Sequence, residues 1–177
     1  VLRFAFLPLL LILAANGSGL GQGRRKEPEP KEYVSETYLY KTNFPEKDPK
    51  VTTQKLKTNA GELDQGTASV ELRSATYSVT VTELPETTIR NGSKAVFDGV
   101  RDGIKGKAGI IQYEKPWDKG PAHMHYREIL FDFRKNQLRT RIYLVDNRLY
   151  QVTVTGSKSI VTGNTADRFF SAFEITK

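Results

Sequence analysis

The chain has 177 residues, no cysteine, two histidines and a formal net charge of +7. That length supports one domain around a single core, and the absence of cysteine excludes disulfide staples, thiolate metal sites and thiol catalysis. The basic balance suits anionic partners such as envelope polymers, acidic glycans or lipid headgroups, while the scatter of the basic residues argues against a nucleic-acid interface.

Residues 1–23 read as a secretory leader. Arg3 supplies the positive start, Phe4 to Ala15 form a compact apolar run, and the small residues Asn16, Gly17, Ser18, Gly19, Gly21 and Gly23 follow. The run is shorter than the roughly 20 apolar residues of a bilayer-spanning helix, and Pro8 would kink a permanent anchor. The expectation is a secreted or periplasmic protein whose mature chain keeps no transmembrane segment. Residues 24–32, charged and Pro-containing, read as an unstructured linker. A single domain is then expected over 33–177.

Within that domain, Ala68, Val70 and Leu72 alternate with polar neighbours, as do Tyr77, Val79 and Val81. Period-two alternation predicts two half-buried strands joined by a tight connection at Arg73–Ala75. A helix is predicted over 93–105: Ser93 caps it, Val96, Phe97, Val100 and Ile104 form its apolar face, and Gly106 ends it. Lys94, Asp98, Arg101 and Lys105 should face water.

From Ile110 the strand pattern returns over Ile110–Trp117, Met124–Phe133, Leu138–Val145 and Leu149–Thr155. The connections are short, and Asp146-Asn147 is the strongest hairpin signal, so an antiparallel meander is expected. A second helix near 165–173, capped by Asn164 or Thr165, carries Ala166, Phe169, Phe170 and Phe173 at i, i+3, i+4 and i+7. That stripe should be buried against the sheet, with Tyr150, Val152 and Val154, or their alternating neighbours, beneath it. Glu174 to Thr176 can close as a short edge strand.

Several of these pieces, in this order, carry a family resemblance. They are Phe97-Asp98-Gly99-Val100-Arg101-Asp102-Gly103, Tyr126-Arg127-Glu128, the run from Arg141 to Val152, and the run from Ala166 to Phe173. Together they resemble small exported bacterial proteins of the kind found in planctomycete-like genomes. The layout is similar to the PsbP-like (Mog1/PsbP) α+β fold, and Phe44-Pro45 looks like its early aromatic-Pro corner. The resemblance implies an α+β fold, an antiparallel β-sheet (meander) packed by two short helices. It also implies a non-catalytic accessory or binding module without a cofactor. The chain departs from the pattern at His123-Met124-His125, where glycine and proline are more usual.

Candidate site residues are few. His123 and His125, two apart, would share a strand face and could hold a metal with a third ligand, with Glu114 and Asp118 the nearest carboxylates. A metal-dependent enzyme built on this pair is one alternative reading. Arg127 lies on the core-facing phase and needs a carboxylate or backbone carbonyls in a structural ion pair, with ligand binding as the alternative, while Glu128 points to the opposite face. Arg139, Arg141 and Tyr143 share a face and would form a basic, aromatic-edged strip on solvated sheet surface. That strip could grip an anionic ligand, giving a second alternative, an acidic-polymer-binding domain. Trp117, with Tyr126 and the histidines, marks the loop where a ligand would first be sought. The phosphate-loop and serine-hydrolase patterns are excluded: the glycines after Gly99 fall within and at the end of a helix, and no Gly-x-Ser-x-Gly elbow exists. The partner expected is an envelope protein or an anionic polymer.

Overall fold

The computed structural model describes residues 29–58, 61–90, 92–117 and 125–176, with the backbone alone at Pro116, Trp117 and His125. Three strands come first: β1 (Pro30–Ser35), β2 (Tyr40–Pro45) and β3 (Lys50–Thr58). Then follow β4 (Gly61–Glu71), β5 (Ala75–Glu83), α1 (Glu86–Ile89) and α2 (Ser93–Lys105). The second half holds β6 (Ile110–Trp117), β7 (His125–Asp132), β8 (Gln137–Val145) and β9 (Arg148–Gly156). It closes with α3 (Lys158–Val161), α4 (Asn164–Ala172) and β10 (Glu174–Ile175).

The strands form two antiparallel sheets. The larger has seven strands in the order β3-β4-β5-β9-β8-β7-β6, and the smaller has the order β1-β2-β10. Two meanders, β3-β4-β5 and β6-β7-β8-β9, therefore meet at the β5–β9 pairing, where Val79 faces Val152 and Val81 faces Tyr150. The meander expected over 110–155 is the second of these. The Asp146-Asn147 hairpin joins β8 to β9, with Asp146 at φ 52°.

Alternation along the strands gives the large sheet two buried faces, and each takes its own cover. On the first face Val70, Tyr77, Val79, Val152 and Val154 pack under Tyr40 and Phe44 of β2 and under Val161, Ala166, Phe169 and Phe170 of α3 and α4. On the second face Ile129, Phe131, Ile142, Leu144 and Leu149 pack under Val96, Phe97 and Val100 of α2. Phe169 sits at the centre of the first layer, 5.3 Å from the Phe44 ring and 5.4 Å from Tyr77. Close approach also shapes β4: a Cβ at Gly66 would fall inside the Tyr38 ring, so only glycine lets that ring lie on the strand.

Four expectations need correction. The strands β1, β2 and β3 precede everything the alternation predicted, and β1 takes Pro30 to Glu32 from the expected linker, because its pairing with β2 satisfies that backbone. The helix caps precede those expected: Gly92, at φ 84°, caps α2 in place of Ser93, and Gly163 caps α4 in place of Asn164 or Thr165, neither with a side-chain bond. Phe173 is half-buried, because the backbone turns extended there, and its ring lies 5.1 Å from Tyr143 and 5.7 Å from Tyr40. Asp98 and Arg101 do not face open water but lie at the margin between α2 and the sheet, their side chains 27% and 25% exposed.

Phe169→Ala should lower unfolding free energy by about 3–5 kcal/mol. Phe44→Ala combined with it should cost less than the two single changes added, since the rings share one contact. Urea unfolding of the two single variants and the double variant measures both.

Candidate functional site

The first candidate lies between the large sheet and α4. β7 and β8 pair with Glu128 opposite Arg141 and Leu130 opposite Arg139, so Arg139, Arg141 and Glu128 all project onto the first face. Glu128 is 6% exposed. Its carboxylate accepts from Arg141 Nε at 2.6 Å, from Arg139 Nε at 3.2 Å and from the Tyr113 hydroxyl at 2.8 Å. The guanidinium groups reach onward to the helices. Arg139 Nη1 donates to Asp167 of α4 at 2.6 Å and to the Val161 carbonyl at the end of α3 at 3.3 Å. Arg141 Nη1 donates to the Phe170 carbonyl at 3.2 Å. The Phe170 ring covers both guanidinium carbons, at 4.8 and 4.9 Å.

Burial alone would push the Glu128 carboxyl up, yet the Arg141 and Tyr113 hydrogen bonds and the two arginine charges outweigh it, so the group is held below its ordinary value. Tyr113 moves the other way: burial, then the bond to Glu128, pushes its hydroxyl up to about 12. A carboxylate fixed in its ionised form and bonded on three sides has no proton to trade. Chemically the cluster is a clamp that ties α3 and α4 to the sheet and satisfies carbonyls near the ends of both helices.

This placement corrects the expected strip. Arg139 and Tyr143 are buried and Arg141 is half-buried beneath α4, because Phe170 and Phe173 cover the face that period-two alternation could only identify as shared. Tyr126 lies beside them, its ring 5.0 Å from Tyr143.

A second cluster holds α2 on the opposite face. Arg127 Nη1 lies 2.7 Å from both Asp98 of α2 and Glu114 of β6, with its guanidinium 5.4 Å over the Phe97 ring. Arg101 adds contacts to Asp98 at 3.2 Å and Glu114 at 3.5 Å. Burial would push the Asp98 carboxyl up, but bonds from Arg127 and Lys94 and the arginine charges hold it at about 2. The helical spacing of Lys94, Asp98 and Arg101 was legible, but not that Arg127 on β7 would reach them.

A concave surface runs beside these clamps. Pro30, Asn43, Pro45, Thr165, Arg168, Phe169, Ser171 and Ala172 line a groove of about 330 Å³ between the small sheet and α4. Buried Pro45 and Phe169 form its floor, and exposed Arg168 and Ser171 stand on its rim. None of these lining positions was singled out as a ligand contact in the sequence, because β1 and β2 were not recognised as strands.

Of the remaining sequence candidates, Trp117 ends β6 opposite Tyr126 in the strand register, and His125 opens β7 opposite Leu144. His123 lies outside the described residues. Among the described residues no group of three or more His, Cys, Asp or Glu side chains converges to hold a metal ion.

Glu128→Gln leaves half-buried Arg141 without its counter-charge and buried Arg139 with Asp167 alone, and should cost about 3–5 kcal/mol near neutral pH. The folded carboxyl titrates below its ordinary 4.5, so its contribution is full above that value and is lost as pH falls through the folded value. The gap between the parent and Glu128→Gln in urea unfolding should therefore close as pH is lowered from 6 toward 2. The Asp98 contribution follows the same sign: it is full above the ordinary 3.8 and should be lost as pH falls from there through about 2.

No protein-family model matches the chain, and no curated protein matches it. Among solved structures, it is similar to the solution structure of cyanobacterial PsbP (CyanoP) from Synechocystis sp. PCC 6803. That match has 14% identity and a TM-score of 0.52, covering 90% of this chain and 98% of the other. A Pseudomonas aeruginosa protein of unknown function matches at 11% identity and a TM-score of 0.34, over 75% of this chain and 85% of the other. At these identities the first likeness speaks to architecture: two antiparallel sheets with short helices, in a PsbP-like α+β fold.

Proposed function

We propose that the chain is an exported, non-catalytic accessory module that binds an envelope partner through the groove beside α4. The observation that carries this reading is the groove itself, an apolar floor of Pro45 and Phe169 beneath a polar rim of Asn43, Thr165, Arg168 and Ser171. Such a combination buries apolar surface while fixing orientation through a few polar groups. The clamp below it supports the same reading. Arg139 donates to Asp167 and Arg141 to Phe170, so the helix forming one wall is anchored before any partner arrives, and a rigid wall lowers the ordering cost of association.

Export rests on the leader pattern of residues 1–23. Among the described residues no helix is long and apolar enough to cross a membrane. A non-catalytic role is supported by the PsbP-like architecture and by the state of the buried acids. Glu128 is held ionised against two arginines rather than poised to exchange a proton.

The test is retention of partners from envelope extract by the purified protein, compared with Ser171→Tyr, which places a ring in the groove from an exposed helix position. A component held by the parent should be lost at least tenfold in the variant and should survive washing at 1 M salt, where the Debye length is about 3 Å. Equal retention by both proteins, or retention that fades with salt and ignores the variant, would overturn the groove as the binding site.

A further inference from the structure

The free edges of the two sheets are built differently. At one end of the large sheet, β6 is interrupted by a bulge between Ile111 and Tyr113 and carries Pro116. Both features blunt a strand edge against pairing. In the small sheet, β10 has two residues and β1 opens on Pro30. At the other end of the large sheet, β3 has nine residues, no proline, and an unbroken register with β4 from Lys50↔Ser69 to Thr58↔Gly61. Six of its first seven residues are exposed, and its far side pairs with nothing among the described residues. A strand of this length leaves a row of backbone donors and acceptors facing outward.

Its charge is one-sided as well. β3 carries Lys50, Lys55 and Lys57 and no acid. Lys55 is shared with Glu62 and Asp64 of β4 at 4.0 Å, whereas Lys50 and Lys57 form no ion pair among the described residues. Two copies of this edge brought together would place two strands side by side that carry lysines and no acid, which disfavours self-pairing. The same lysines attract glutamate or aspartate on an incoming strand. Val51, 51% exposed, offers an apolar contact on the same face as Lys55 and Lys57.

We propose that β3 is a docking edge for an extended acidic segment of another protein, which adds as an eighth strand to the large sheet. Backbone hydrogen bonds supply the pairing, and the lysines set the sign of the partner. The site is separate from the groove beside α4, so Ser171→Tyr should leave it intact, and either site can fail without the other.

The experiment uses the full chain and a fluorescein-labelled nine-residue peptide that alternates glutamate with valine and threonine. Binding is read by fluorescence anisotropy at 0.1 M salt, and amide hydrogen exchange is followed in parallel. The peptide should bind and slow exchange within 50–58. Methylating alternate backbone nitrogens along one edge of the peptide, which removes donors but not charge, should weaken binding at least tenfold. Lys50→Glu combined with Lys57→Glu should weaken it similarly, with circular dichroism and Tm unchanged, both side chains being exposed. Exchange in the parent protein gives a reading that needs no variant. Absence of binding, slowed exchange only outside β3, or equal binding of the methylated peptide would overturn strand addition. The last of these outcomes would mark β3 as a charge-only site for anionic polymers.

Discussion

Glu128 stands between the guanidinium groups of Arg139 and Arg141, and the attachment of α3 and α4 to the large sheet depends on that arrangement. A buried carboxylate is costly unless every lone pair finds a donor. Here Tyr113 and the two arginines supply the donors from neighbouring strands. The arginines pass the interaction outward to Asp167 and to the carbonyls of Val161 and Phe170. Because antiparallel register sets which side chains are opposite, the clamp is specific to one alignment of β6, β7 and β8. A slip of one residue would send Glu128 to the face that holds Ile129 and Phe131.

The opposite face repeats the solution with different partners. Arg127 bridges Asp98 and Glu114 beside the Phe97 ring, so α2 is fastened by apolar packing at its centre and by ions at its margin. Each helical layer is thus held by arginines whose charge is met by carboxylates of the same chain. The excess positive charge is left to the surface, and part of it lies on the lysines of β3.

Helix α2, strand β5 and the second half of β4 were legible because each pairs an apolar face with a polar one, which produces a period of 3.6 or 2 in the sequence, while β6 to β9 were legible as strand-like runs between turn-like stretches. β3 was not legible, since both of its faces are wet and Lys-Val-Thr-Thr-Gln-Lys-Leu-Lys-Thr carries no alternation to detect. β2 alternates over Tyr40 to Phe44, with Tyr40, Thr42 and Phe44 buried and Lys41 and Asn43 half-buried between them, but the pattern is short and ends at Pro45. The groove was missed with it, because Asn43 and Pro45 line a site only once β2 lies beside α4.

Local pattern alone determined the identity of most elements, the antiparallel sense of the second meander, the Asp146 hairpin and the pairing of α4's phenylalanines with an apolar face. These follow from steric and solvation rules that act within about ten residues. Whether Arg139, Arg141 and Tyr143 would meet water or α4 was decided only by the tertiary structure. Alternation assigns residues to a shared face, but the chain returns to cover that face only after β9, when α3 and α4 fold back and bring Asp167 and Phe170 against β8. The same return turned a solvated basic strip into an internal clamp.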